Sequence, residues 1–164
     1  MKILAYDINP NSEIELSNLD EIFKKSDFLS INCPLNDTTK NLINKNTILK
    51  MKHSAFIINT ARGEIINTKD LYYALLSKRI KGAALDVLEC EELYFQNKHD
   101  FQNLNSNCLE SFFYAKKLSE LENVIITSHN AYNTHEAINR ILHITFCNIK
   151  QIIENSGKKN LVLL

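Results

Sequence analysis

The chain has 164 residues, enough for one domain of ordinary size with a real core. It is 45% hydrophobic and 23% charged, with formal net charge zero and a pI of about 7.0, so composition gives no support for binding nucleic acid or an acidic membrane. No apolar run approaches a membrane span, and the N-terminus lacks the pattern of a signal peptide.

The cysteines, Cys33, Cys90, Cys108 and Cys147, form no Cys-x-x-Cys pair. Their spacing suggests neither a zinc site nor a disulfide framework, so reduced thiols in the cytoplasm are expected. The 21 asparagines are scattered and form no tract.

In chain order, Lys2–Asp7 is a short apolar run ending in an acid, followed by a turn at Asn9-Pro10-Asn11. Asn18 to Lys25 fits a short amphipathic helix capped by asparagine or serine. Phe28–Asn32 reads as a strand closed by Cys33-Pro34-Leu35, and Asn46–Lys52 as a short helix. Ala55–Asn59 is an apolar run bounded by polar turn residues, the pattern of a buried parallel strand. Asn67 caps a helix through Lys78 with Leu71, Ala74 and Leu75 on one face. Gly82–Val87 is the next strand, 91–107 is polar and irregular, and Cys108–Leu118 reads as a helix. Asn123–Thr127 is the last strand, closed by Ser128-His129-Asn130. Thr134–Glu154 reads as one long helix with Ala137, Ile141, Ile144 and Cys147 or Asn148 on its inner side. Strands alternating with helices imply βαβ units and a parallel sheet.

Parallel strands bring their carboxyl ends to one edge, where α/β proteins bind ligands. Asp7, Cys33-Pro34, Arg62, Asp86 with Glu91, and His129 all follow strand ends on this reading. Arginine grips a carboxylate with two parallel hydrogen bonds. Histidine passes a proton near neutral pH, and a carboxylate beside it favours its charged form.

Three stretches carry a resemblance. Asn59-Thr60-Ala61-Arg62-Gly63, the run Gly82 to Glu92, and Ile125 to Tyr132 resemble the D-isomer-specific 2-hydroxyacid dehydrogenases. Within that family the sequence looks most like the D-lactate dehydrogenase branch, including the vancomycin-resistance type, because Tyr132 lies three residues after His129 and Glu91-Glu92 stands where glycerate-type enzymes have Glu-Pro. The resemblance runs from about Lys2 to Ile153.

It implies NAD as cofactor and a 2-keto or 2-hydroxy acid as substrate. Arg62, Glu91 and His129 would be the catalytic set: Arg62 on the substrate carboxylate, His129 as acid/base, Glu91 holding it. Asp7 would bind the adenosine ribose. Cys33, Pro34 and Thr39 would line the cofactor, Thr60, Ala61 and Arg62 would lie on its nicotinamide side, and Asp86 would contact the carboxamide. Tyr132 would touch the substrate. No metal is implied. Ser128 departs from the usual proline before the histidine, and Asn130 from a frequent threonine or isoleucine. Glutamate at position 91 speaks against a formate-dehydrogenase-like activity, where relatives use glutamine. No added segment supports a corepressor.

The chain has three glycines, Gly63, Gly82 and Gly157, and no Gly-x-Gly-x-x-Gly. The expected fold is therefore an α/β, incomplete Rossmann-type parallel sheet, a partial NAD-binding domain over 1–154 with a tail over 155–164, lacking the first strand, its helix and the substrate domain. The strands at Ile3 and Ala55 are each expected to lose a partner. Two readings follow: an NAD-dependent dehydrogenase that needs a complementing N-terminal half, or a truncated, inactive fragment acting through binding or dimer contacts. Relatives suggest a homodimer.

Overall fold

A computed structural model describes residues 1–9, 15–91, 93 and 106–154. The chain divides into a first unit, Met1–His129, and a second that begins at Asn130.

The first unit is built on a four-stranded parallel sheet in the order β1-β2-β3-β4, formed by Phe28–Ile31 (β1), Phe56–Asn59 (β2), Gly82–Leu85 (β3) and Val124–Ile126 (β4). The strands are short, and alternate side chains of β1 and β2 point into the core. Three helices of this unit start where the sequence places caps. Asn18 accepts from the Glu21 amide and opens Leu19–Lys25 (α1). Asn44 forms a capping box with Thr47 and opens Lys45–Ile48 (α2), shorter and earlier than the expected helix over Asn46–Lys52. Asn67 accepts from the Asp70 amide and opens Thr68–Leu76 (α3). Ser106–Leu118 (α4) replaces the expected helix over Cys108–Leu118 with two more residues at its start. Of the run 91–107, residues 92 and 94–105 lie outside the described residues.

The core lies between sheet and helices. Ile57, Ile65, Leu71, Ile80 and Leu118 are at most 1% exposed. Full burial of one such side chain contributes roughly 1.5–3 kcal/mol, so these five anchor the layers that position the sheet edge.

Three expectations are corrected. Among the described residues Lys2–Asp7 forms no strand; Ala5 makes only an isolated parallel bridge to Leu16, with the Ser17 amide donating to the Ala5 carbonyl at 2.7 Å. Ile3 is 65% exposed, so an apolar run without a neighbour to bury it does not extend a ladder. The strand at Ala55 does not lose a partner: β2 pairs with β1 on one side and β3 on the other. The bridge at Leu16 occupies the place beside Ala5, and among the described residues the edge strands of the sheet are β1 and β4. Among the described residues no ladder joins Ala5 to β1. Finally, the thiols are not all reduced. Cys90 and Cys108 form a disulfide with Cα atoms 5.7 Å apart, while Cys33 and Cys147 are free. The fold returns the start of α4 to the loop after β3, a proximity that a spacing of 18 residues does not disclose.

The second unit contains His135–Ile153 (α5), capped by Thr134, whose side chain accepts from the Ala137 amide. None of its residues is buried, and Ile141 and Ile144, expected on an inner side, are 51% and 43% exposed. No helix among the described residues is long and apolar enough to cross a membrane.

Candidate active site

The register of the sheet brings three strand ends level. Asn59, Leu85 and Ile126 stand opposite one another across β2, β3 and β4. The ladder continues past them: the Asp86 amide donates to the Asn59 carbonyl at 2.9 Å, the Thr127 amide to the Leu85 carbonyl at 3.0 Å, and the His129 amide to the Asp86 carbonyl at 2.9 Å. Whatever follows each strand is thereby held on one edge.

After β2, the chain folds around a single side chain. Asn59 is fully buried; its Oδ1 accepts from the Ala61 amide at 3.0 Å and its Nδ2 donates to the Arg62 carbonyl at 2.8 Å. A strand-end asparagine bonding the backbone two and three residues on is a built-in turn. It presents Thr60, exposed, and Arg62, exposed, at the edge. Arg62 Nη1 donates to the Ala61 carbonyl at 2.6 Å, and among the described residues the guanidinium makes no ion pair. Behind it, Gly63 lies against the backbone of Leu88 and Glu89: a Cβ on Gly63 would stand 2.0–2.3 Å from their atoms. Only glycine permits this approach.

After β3, Asp86 is 5% exposed and its carboxylate accepts a hydrogen bond from the Thr127 hydroxyl. Its side chain thus ties β3 to β4, while its carbonyl holds the His129 amide. Glu91 and His129 meet: Oε1 lies 2.8 Å from Nδ1, with side chains 30% and 39% exposed. An ionised carboxylate only accepts, so this contact requires a proton on Nδ1 and turns Nε2 away from Glu91. Glu91 Oε2 is buried without a partner among the described residues. Cys90 and His129 both adopt left-handed backbone, with φ of 52° and 51°. Such residues cost on the order of 1–3 kcal/mol and persist where surrounding bonds over-determine them. Here the Cys90–Cys108 disulfide and the His129–Asp86 backbone bond do so.

The remaining expected residues lie as follows. Asp7 is exposed, its Oδ1 accepting from the Asn9 amide at 2.8 Å. Cys33 is half-buried against the core, and Pro34 is exposed. Thr39 Oγ1 donates to the Pro34 carbonyl at 2.7 Å, so this hydroxyl pins the loop after β1. Ala61 packs on the core. Tyr132 is 61% exposed in the second unit. No group of three or more His, Cys, Asp or Glu could hold a metal among the described residues. Asn59, Thr127 and Glu89 were not expected as site residues. Asn59 carried a signal, a polar residue ending an apolar run; the other two bonds are tertiary.

An exposed acid at Asp7, the pinned Cys33-Pro34 loop and the exposed Thr60 and Arg62 are groups whose chemistry suits a dinucleotide. The glycine-rich turn that would cradle its pyrophosphate is not in the sequence.

Comparison with known proteins shows the family. Residues 1–131 match the D-isomer specific 2-hydroxyacid dehydrogenase, NAD binding domain. The chain is 32% identical over 162 residues to D-lactate dehydrogenase of Lactiplantibacillus plantarum, covering 96% of this chain and 47% of that protein. It is 36% identical over 163 residues to an aromatic 2-oxoacid reductase of Clostridium sporogenes, covering 97% and 47%. The NAD-complexed D-isomer specific 2-hydroxyacid dehydrogenase of Lactobacillus delbrueckii superposes with a TM-score of 0.82 at 31% identity, over 98% of this chain and 48% of that one. The chain therefore spans about half the length of the relatives it matches. With a parallel α/β sheet, a Glu91–His129 pair and an Asn59-built arginine turn on one edge, and a family match over residues 1–131, this chain belongs to the D-isomer-specific 2-hydroxyacid dehydrogenases, as their NAD-binding domain.

Proposed function

We propose that this chain carries the acid/base pair and the carboxylate-binding arginine of an NAD-dependent dehydrogenase that interconverts a pyruvate-like 2-keto acid and a D-2-hydroxy acid. The observation that carries the reading is the 2.8 Å contact between Glu91 Oε1 and His129 Nδ1, on the sheet edge that also carries the Arg62 turn. Arg62 binds the substrate carboxylate through paired hydrogen bonds and so orients the keto group. His129 gives a proton from Nε2 to the keto oxygen in reduction and takes it back in oxidation. Glu91 holds the ring and offsets the charge of the imidazolium. Asp7, Cys33, Pro34, Thr39, Thr60, Ala61 and Asp86 are the residues assigned to NAD; when bound, the cofactor exchanges the hydride with the substrate carbon. Tyr132 is assigned to the substrate side.

Residues 1–154 are assigned to the partial NAD-binding domain; the tail expected over 155–164 lies outside the described residues. The similar proteins include a D-lactate dehydrogenase and an aromatic 2-oxoacid reductase, so the size of the keto acid is not chosen by similarity. The expected macromolecular partner is a complementing N-terminal half or a second copy in a homodimer; the open edge of β1 is where a strand can be added. The second reading is a catalytically inactive NAD-domain fragment acting by binding alone.

The test is calorimetric titration of the folded chain with NADH, followed by turnover assays with an added N-terminal half. Binding and turnover that falls by at least about a hundredfold in His129→Ala are expected for the enzyme; Arg62→Ala is expected to act mainly on substrate binding. A folded chain that binds NADH but shows no turnover under complementation selects the fragment reading.

A further inference from the structure

We infer that Glu89 is a positioning residue for the Glu91–His129 pair, an inference that rests on the acid/base role proposed above. Glu89 lies two residues before Glu91 and touches neither His129 nor the Arg62 guanidinium among the contacts described. Its half-buried carboxylate faces the other way. Oε2 accepts from the Thr68 amide at 3.1 Å, from the Thr68 hydroxyl, and from the Ser111 hydroxyl at 3.1 Å. One oxygen thus ties the loop after β3 to the first turn of α3 and to the second turn of α4.

The rest of that loop is fixed at neighbouring points. The backbone of Leu88 and Glu89 rests on Gly63, directly behind Arg62. Cys90 is held in a left-handed conformation and linked to Cys108 at the start of α4. Four consecutive residues are therefore each tethered: Leu88 to Gly63, Glu89 to Gly63, α3 and α4, Cys90 to α4, Glu91 to His129. The tether at Glu89 is the one that reaches two helices. It also answers an orphan donor, since the Thr68 amide is the first of α3 and has no partner within the helix. Without the carboxylate, that amide and two hydroxyls lose their acceptor in a region where Thr68 is 5% exposed. The loop is then free to shift. A shift that lengthens the 2.8 Å Glu91–His129 contact by more than about 0.7 Å ends the hydrogen bond.

The alternative is that Glu89 serves only as a helix cap. The two roles separate by a spectroscopic readout on the full chain that needs neither NADH nor turnover. Nitrogen-15 shifts of histidine-labelled protein under mildly alkaline conditions report which ring nitrogen carries the proton, with His129 assigned through His129→Gln. Wild-type His129 is expected in the Nδ1-protonated form. Glu89→Leu is expected to shift at least half of the population to the other form, and Glu89→Gln, which keeps an acceptor, to restore it. Asn67→Ala removes the cap of α3 without touching the loop, and its His129 signal is expected to stay as in wild type. Where Glu89→Leu does not fold, Thr68→Val and Ser111→Ala take its place, with a partial shift expected in each. A folded Glu89→Leu, or a folded Thr68→Val and Ser111→Ala pair, with unchanged His129 shifts overturns the inference. So does an Asn67→Ala shift equal to that of Glu89→Leu. Absence of turnover in complemented wild-type protein defeats the proposed function and leaves this readout intact. Where turnover is present, Glu89→Leu is expected to lower kcat about tenfold, part of the acid/base contribution, with KM for the keto acid within about twofold of wild type.

Discussion

Gly63→Ala tests the junction between the arginine turn and the loop that carries Glu91. At Gly63 the backbone φ lies outside the left-handed region, so the substitution is not opposed by conformation. Loss of chain entropy in the unfolded state would even favour alanine by about 0.4–1 kcal/mol. The opposing effect is steric. The new methyl would stand 2.0 Å from the Leu88 carbonyl carbon, 2.2 Å from its oxygen and 2.3 Å from the Glu89 nitrogen, all backbone atoms. No rotamer change relieves this, so the strand-end loop has to move. Overpacking costs typically 1–3 kcal/mol, and a collision with three backbone atoms belongs at the top of that range. The net loss is at least about 2 kcal/mol, or roughly 4–8 °C in Tm for a chain of this size. Thermal melts followed by circular dichroism measure it. Gly82→Ala provides the contrast: its methyl would meet the Asn123 carbonyl oxygen and the Phe56 ring at 2.8 Å, and the ring can yield. Gly63→Ala is expected to be the more damaging of the two. A Gly63→Ala protein that melts within about 1 °C of wild type would refute the reasoning.

Asn59→Ala removes both bonds that build the arginine turn, and leaves the Ala61 amide and Arg62 carbonyl without their partner; a loss of about 2–3 kcal/mol is expected by urea denaturation. Denatured, unreduced protein is expected to show two reactive thiols, Cys33 and Cys147, and reduced protein four. Cys90→Ser, which opens the loop between positions 18 apart, is expected to destabilise by about 3 kcal/mol. The hydrogen bond and charge of Lys50, with a smaller contribution from Lys24, hold the Asp20 carboxyl below its ordinary range. A carboxyl lowered in the folded state stabilises fully above its unfolded pKa of about 3.9 and loses that contribution as pH falls through the folded value. The Tm difference between wild type and Lys50→Met is therefore expected at pH 7 and should vanish in strong acid. A difference that grows on acidification would contradict the assignment.

Residue types and their spacing determined a large share of this protein. Caps at Asn18 and Asn67 were legible because their side chains answer amides three residues away, a local matter. The four strands were legible because a buried parallel strand reads as a short apolar run closed by polar residues. Once the strands are parallel, the placement of Arg62, Glu91 and His129 on one edge follows from topology. The family was legible for the same reason, since its motifs are the residues that end those strands.

What the tertiary structure alone decided are the relations between segments far apart in sequence. Whether Lys2–Asp7 forms a strand depends on a neighbour to pair with, and among the described residues Ala5 finds only Leu16. Which strands lie at the edges depends on sheet order; among the described residues they are β1 and β4, and β2 is internal. Cys90 and Cys108 meet because α4 returns to the loop after β3. Glu89 and Glu91 are two acids of one run, alike in sequence, yet one is turned to the helices and the other to His129. Local patterns record what a residue needs from its own turn or strand; they carry no record of which distant group will supply the other half of a bond.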